Sequence, residues 1–455
     1  MTQIPSGAPD FPTQENRKSF FQRNVFLVKA ALIGILTLLL LIPLSMVEGL
    51  VHERQSLSLA SRHDITERWS EEQTVVGPAI TFICRQNEET DVQGEKNVRH
   101  VVKKRIELLP EDLKIKADVG TTALRRGIYE VTVYRSKLIL EGSFRLSQEQ
   151  RQQLARTCPD TTDCRLSLGL SDLRGLEKQV GLQWDGRRAD FVPNNENGLL
   201  SGLSTPIDPG ALLGTDRPVP FRIELELKGS NALYFIPLGG TTSVSIESDC
   251  PTPSFTGNFL PSARQVRDDG FSGEWNILGM NRPYPQLLEM ETRESAIEQS
   301  RFGVELLMPV AQYQMSIRAI KYGALIILLT FVAMLFAETL FRGRLNPLQY
   351  LLVGLALVLF YSLLIALCEH LSFGLSYALA ACMTLALLAW YTYAILREKK
   401  AAWGIGVLLA GLYFYIFVLL QMETWALLAG SLGLFVILGG VMFLSQKINT
   451  IKDRR

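Results

Sequence analysis

Histidine is scarce in this chain: His52, His63, His100 and His370 are the four in 455 residues. The sequence has no H-E-x-x-H zinc pair, no G-x-S-x-G elbow, no Walker A loop and no C-x-x-C. Those absences exclude the commonest hydrolase, zinc-protease, nucleotide-binding and thiol-redox designs. His63-Asp64 with Glu67 reads as a solvated helix face, since one imidazole among acids on a polar stretch makes a poor metal site. The charge is nearly balanced, with 46 Lys and Arg against 45 Asp and Glu, a formal net of +1. Nothing in that balance calls for nucleic acid. No long apolar run carries a charge at its centre, which weighs against a pump or ion-coupled transporter. No catalytic residue, cofactor site or metal site is therefore assigned.

What the chain does have is an uneven distribution of apolar residues. One run covers Val25 to Val47, and the next begins near Tyr322 and continues, with short polar breaks, to Leu444. About 20 apolar residues cross a bilayer as a helix. The C-terminal section divides into five such stretches, over 322–341, 348–368, 371–396, 402–421 and 425–444. The first run has a basic flank (Arg17, Lys18, Arg23, Lys29), but it is longer than a signal peptide core and lacks an A-x-A site. It reads as a retained signal anchor.

Basic residues mark every second break: Arg342 and Arg344, then Arg397, Lys399 and Lys400, then Lys447, Lys452, Arg454 and Arg455. Glu369-His370 and Glu423 mark the others. The positive-inside rule then places both termini in the cytoplasm. Arg318 and Lys321 oppose it, but a long translocated domain is largely exempt from the rule. The expected architecture is an α+β membrane protein with six transmembrane helices, one N-terminal and five C-terminal. The expected parts are a cytoplasmic tail over 1–24, a first span over 25–47, a periplasmic β-rich, sandwich-like domain over 48–320, a five-helix bundle over 321–445 and a cytoplasmic tail over 446–455.

Period-two alternation predicts the strands of the domain. Phe221-Arg222-Ile223-Glu224-Leu225-Glu226-Leu227 alternates apolar with charged, and Ile128 to Tyr134, Cys164 to Leu168 and Thr242 to Ile246 behave alike. Turn clusters separate them at Asn194 to Gly198 and at Asp208-Pro209-Gly210. An antiparallel sandwich with long loops follows. A polar helical piece is expected to lead from the first span over Arg54 to Glu72, and Gln312 to Lys321 is expected to lead back as a helix continuous with the second span. Four of the six cysteines fall in this domain. Cys158 and Cys164 close a short loop and form the candidate disulfide, which leaves Cys84 with Cys250. Cys368 and Cys382 are expected to be packing residues.

Ionisable residues near hydrocarbon are costly and often functional. Glu338 lies four residues before Arg342, a spacing that suits an ion pair at the interface. Glu369 and His370 lie at the far end of the third span, within reach of water. These three are the candidate membrane-charge sites. Small residues along the last spans (Gly406, Ala410, Ala426, Gly430) suit close packing, and Trp390, Trp403 and Trp425 suit aromatic belts.

One stretch is distinctive: Pro253-Ser254-Phe255-Thr256-Gly257-Asn258-Phe259-Leu260-Pro261, followed by Gly270-Phe271 and Trp275. Gln312-Tyr313-Gln314, Ala319-Ile320-Lys321-Tyr322, Glu338-Thr339-Leu340 and the run Asn346 to Leu355 follow, ending at Glu369-His370. Val76-Gly77-Pro78 and Val133-Tyr134-Arg135-Ser136 precede it. In these residues the chain resembles the CreD family of bacterial inner-membrane proteins, also called cell envelope integrity proteins. The likeness runs from the first span onward and leaves out the tail before about Arg17. The cysteines are no part of the family pattern. The resemblance implies a Gram-negative inner-membrane protein with a periplasmic domain, commonly encoded among the outputs of a two-component stress system, and it implies no enzymatic activity.

The function expected is a non-enzymatic envelope protein. Its partners are the lipid bilayer and an envelope protein or cell-wall component, with no nucleic acid. Phe255, Phe259 and Trp275 flank Pro- and Gly-rich turns and are the candidate partner-binding residues. Their other reading is as core of the domain, the frequent fate of a proline-flanked aromatic loop. The rival function is a membrane transporter or lipid-handling protein, with Glu338, Glu369 and His370 lining a path.

Overall fold

The computed structural model describes residues 25–92, 95–127, 129–159, 161–194, 198–214, 216–306, 311–340, 345–396, 399–422 and 425–453. The breaks at Arg342-Gly343-Arg344, Arg397-Glu398 and Glu423, and the tail 1–24, lie outside them. The chain divides into two compact units, Met1–Ser56 with Val310–Arg455, and Leu57–Pro309.

The first unit is helical. Helix α1 spans Val25–Trp69, 45 residues without a break and with Pro43 inside it. It continues past the span expected to end at Val47 and includes most of the polar helical piece expected to lead on from that span. Helices α2 (Ala311–Lys321), α3 (Gly323–Leu340), α4 (Pro347–Cys368), α5 (Phe373–Leu396), α6 (Lys399–Gln421) and α7 (Ala426–Asp453) follow. Among the described residues, five helical stretches are long and apolar enough to cross a membrane; a sixth, Leu428–Gly440, is shorter.

Helix α1 has one buried stripe. Ile33, Leu36, Leu40, Leu44, Val47 and Val51 recur every three or four residues and are buried in the same apolar cluster as α3, α4 and α6. Ile35, Leu38, Leu39, Ile42 and Met46 lie bare on its other side. An apolar side chain on that face is stable in hydrocarbon and unfavourable in water. Two glycines let the backbones approach. A Cβ on Gly354 of α4 would stand 2.1 Å from Leu40 Cδ1 and 2.9 Å from Phe331 Cζ, and one on Gly323 would stand 2.9 Å from Leu44 Cδ2.

The second unit is a two-sheet sandwich. The nine-stranded sheet runs, in spatial order, Pro253–Gly257, Phe302–Leu306, Ala232–Ile236, Gln73–Val92, Thr161–Leu170, Gly202–Pro206 and Val192–Asn194, with Glu95–Leu108 branching from Gln73–Val92 and Leu287–Leu288 pairing with Glu95–Leu108. The eight-stranded sheet runs Ala263–Arg267, Gly270–Leu278, Thr241–Ser248, Asp112–Arg126, Tyr129–Phe144, Val219–Ser230, Gly181–Trp184 and Arg187–Asp190. The predicted alternation holds along Val219–Ser230, where Phe221, Ile223, Leu225 and Leu227 are buried and the charged residues between them point outward. Phe82, Leu166 and Phe235 of one sheet share a core with Leu113, Leu140, Val244 and Trp275 of the other. The sheets are not purely antiparallel. Gln73–Val92 runs parallel to Ala232–Ile236, and Thr241–Ser248 runs parallel to Asp112–Arg126. Long excursions between these strands allow the crossover that a parallel pair needs.

Within this unit the last turn of α1 is fixed tightly. The Trp69 ring lies between the Arg135 guanidinium at 5.0 Å and the Lys228 ammonium at 5.1 Å. Asp172 accepts from Ser70 Oγ at 2.9 Å, from the Glu71 amide at 3.2 Å and from Arg174 Nε at 2.9 Å. Burial alone would raise the Asp172 carboxyl, but these bonds and the Arg174 amide outweigh it and hold the carboxyl at about 2.

The close approach at Gly354 has a measurable consequence. Gly354→Leu pushes against Leu40 and Phe331 and is expected to destabilise the helical unit by about 1–3 kcal/mol. Gly404→Leu, at a position with no heavy atom within 4 Å, is expected to leave it unchanged. Denaturant unfolding in detergent, followed by helical circular dichroism, checks both.

Candidate functional site

Glu338 sits near the C-terminus of α3 and is 4% exposed. Lys29 of α1 donates its ammonium to Glu338 Oε1. The Leu345 amide donates to the same oxygen at 3.0 Å, and the Tyr350 hydroxyl of α4 donates to Oε2 at 3.1 Å. The Tyr350 ring is set edge-on against Phe331, 5.6 Å between centroids. A buried carboxylate is tolerable only when paired and hydrogen-bonded, and here three donors from three chain segments meet it. Arg342, the partner expected from spacing, lies outside the described residues.

Glu369 follows the end of α4, and its Oε1 lies 3.4 Å from Arg54 Nη1 of α1. His370 is exposed, its amide donating to the Leu367 carbonyl at 3.1 Å. Helix α4 has 22 residues, so Glu338 and Glu369 stand about 33 Å apart at its two ends. The three membrane-charge candidates thus make no common site. Two of them tie α1 to the bundle, one at each end. Lys29 and Arg54 are the partners that sequence reasoning missed. In the sequence Lys29 reads as part of the basic flank of the first run, and Arg54 only as the start of a polar helical stretch.

Of the two readings left open for the aromatic candidates, the structure shows the one in which they are core of the domain. Trp275 is 0% exposed, and Phe255 and Phe259 are half-buried against the domain core. Phe255 meets Phe271 and Trp275 edge-on at 5.5 and 5.8 Å, and Phe259 meets Phe302 at 6.0 Å. The Trp275 indole donates to the Phe259 carbonyl at 3.1 Å. The Pro253–Pro261 stretch pairs with Phe302–Leu306 and folds its rings inward, because rings this large stabilise most when buried together. Leu260 remains bare on the loop, 69% exposed.

The cysteine pairing is corrected. Cys84 is bonded to Cys158, with Cα atoms 5.2 Å apart, while Cys164 and Cys250 are buried thiols. Neither the Cys158–Cys164 pair nor the Cys84–Cys250 pair forms. The reason is the strand that starts at Thr161. The ladder sets Cys84 opposite Thr161 and Phe82 opposite Cys164, so three extended residues carry Cys164 about 10 Å along the strand. Helix Gln148–Thr157 delivers Cys158 just before that strand, beside Cys84. Burial pushes the Cys164 thiol up to about 12.

Concave regions also occur among the described residues. A cavity of about 590 Å³ between α3, α6 and α7 is walled by apolar residues, Val332, Phe336, Leu408, Tyr415 and Val436 among them. A cleft of about 610 Å³ in the domain lies beside the Gln265–Ser272 hairpin and gathers Asp118, Glu247, Asp249, Arg267 and Asp269. A second, of about 420 Å³, has Glu72, Glu294, Glu298 and Arg301 over Val76 and Ile236. Among the described residues no cluster of His, Cys, Asp and Glu is arranged to hold a metal.

Five helices of membrane-crossing length, with apolar outer faces and with Glu338 and Glu369 paired to cations of α1, define a multi-helix membrane protein that also carries a β-rich domain. The family model for the inner membrane protein CreD matches residues 25–451, and the chain belongs to that family. It is 29% identical over 419 residues to the inner membrane protein CreD of Escherichia coli (strain K12), a match covering 90% of this chain and 91% of that one.

Peptide mapping without reduction is expected to recover Cys84 joined to Cys158, with Cys164 and Cys250 alkylated only after unfolding. A Cys158–Cys164 peptide would contradict the fold around Thr161.

Proposed function

We propose that the chain is a non-enzymatic inner-membrane protein that maintains cell-envelope integrity under stress. In this reading it crosses the membrane six times, with α7 as the sixth crossing, both termini in the cytoplasm and the domain over 48–320 in the periplasm. The alternation of basic and non-basic breaks supports that orientation. The Cys84–Cys158 disulfide supports an oxidising compartment for the domain. The domain recognises an envelope protein or cell-wall component, and the bundle anchors it.

The observation that carries this reading is the engagement of both acidic candidates in the bundle. Glu338 is held by Lys29 and Tyr350, and Glu369 by Arg54. A proton- or ion-coupling group has to be released during a cycle, whereas these fix helices in place. With the aromatic trio in the core, the acidic cleft beside the Gln265–Ser272 hairpin becomes the recognition surface of this proposal, suited to a partner with basic groups. One observation favours the rival reading. The cavity between α3, α6 and α7 is apolar enough for a lipid chain.

Complementation of a strain lacking the gene, challenged with detergent and cell-wall antibiotics at equal protein levels, separates the two. Glu247→Lys with Asp269→Lys reverses charge on exposed positions and is expected to abolish rescue. Leu408→Trp, which fills the apolar cavity, is expected to retain it. The opposite pattern would transfer the function to the bundle and favour lipid handling. Phe255→Ala with Phe259→Ala is unsuitable as a probe, because it hollows the domain core.

A further inference from the structure

The end of the bundle at Glu369 contains an unusual group of hydroxyls. Tyr361 of α4, Tyr377 of α5 and Tyr413 of α6 surround the Phe360 ring, at 4.9, 5.4 and 4.7 Å between centroids. Tyr377 donates to the Tyr413 carbonyl at 2.9 Å. The Tyr361 and Tyr413 hydroxyls have no protein partner, although the residues are 1% and 2% exposed.

Depth makes this costly. Tyr361 lies seven residues before the end of α4 and Tyr413 eight before the end of α6, about 10–12 Å inside the bundle. In hydrocarbon an unpaired polar group is strongly unfavourable, since no lipid group replaces the lost bond. Two such hydroxyls on neighbouring helices at one depth therefore need a common polar ligand. Small polar groups lie nearer the Glu369 end of the bundle. Ser376 and Ser316 are 0% and 2% exposed, both interact with the Cys368 thiol, and Cys368 precedes Glu369 and its partner Arg54. At the other end of α4 the interior is closed by Leu40 and Phe331 packed on Gly354 and by the Lys29–Glu338 pair.

We propose that Tyr361 and Tyr413 bind water in a pocket inside the bundle, hydrated through Ser316, Cys368 and Ser376 from the Glu369 end and sealed toward Glu338. The pocket is independent of the recognition role assigned to the domain, and it gives the bundle a hydrogen-bonding interior open at one end only.

The sign of a conservative substitution tests it. If the hydroxyls were dry, Tyr361→Phe and Tyr413→Phe would remove an unsatisfied group and leave the full-length protein equally or more heat-stable. If they bind water, each variant loses a bond and unfolds about 2–4 °C lower. An unchanged or raised unfolding temperature in both variants overturns the proposal. The opening is tested by a small charged methanethiosulfonate on membrane vesicles, with each site quantified by peptide mass spectrometry. The Tyr413→Cys thiol, or Tyr361→Cys where the first fails to accumulate, is expected to react faster than native Cys382, which is exposed on the outside of α5. It should also outpace Leu357→Cys, a buried position among apolar neighbours. Equal rates at the tyrosine and Leu357 positions would overturn the opening even if the stability result stood.

Discussion

The packing of α1 on the C-terminal helices organises the helical unit. A single stripe of six buried aliphatic residues holds the middle of the contact, and an ion pair holds each end. Stripe and pairs do different work. Between apolar helices in a bilayer, lipid tails are as apolar as leucine, so aliphatic contact contributes close packing more than hydrophobic drive. The Glu338 carboxylate, shielded from water, requires its partner, which makes Lys29 a determinant of where α1 sits and how far along its axis it is placed; the more open Arg54–Glu369 pair contributes less. Gly323 and Gly354 complete the arrangement by removing the side chains that would keep Leu44 and Leu40 away.

The β-rich unit depends on a different constraint, the filling of the space between two sheets. Trp275, Phe302, Phe255 and Phe259 form one end of that filling and draw the loop around Asn258 inward. The disulfide ties helix Gln148–Thr157 to the central strand Gln73–Val92 of the nine-stranded sheet. Two concave places on its described surface are clefts rimmed by acidic residues.

Local pattern made much of this legible. Hydropathy located the helices α3 to α6 to within a few residues, and alternation located Val219–Ser230 and Thr241–Ser248, because both signals arise from side chains a few positions apart. Contacts between distant parts of the chain were not legible. Lys29 and Glu338 are 309 positions apart, and Cys84 and Cys158 are 74 apart. Proximity in sequence pointed instead to Arg342 for the acid and to Cys164 for the thiol. The second was wrong because an extended strand separates near neighbours faster than a loop does. The polar stretch from Arg54 was legible as helix leading on from the first span, and the helix runs without a break, Pro43 included, to Trp69. For Phe255, Phe259 and Trp275 the sequence left two readings, and only the position of Phe302 on the adjacent strand separates them.

The most direct test of the account is a double-mutant cycle on Lys29 and Glu338 in the full-length protein, with unfolding of the helical unit measured for Lys29→Ala, Glu338→Ala and the pair. If this contact fixes α1, the two substitutions are coupled by about 1–3 kcal/mol, the pair costing less than the sum of the singles. Additivity within about 0.5 kcal/mol would contradict the account and leave the apolar stripe as all that holds that end of the helix.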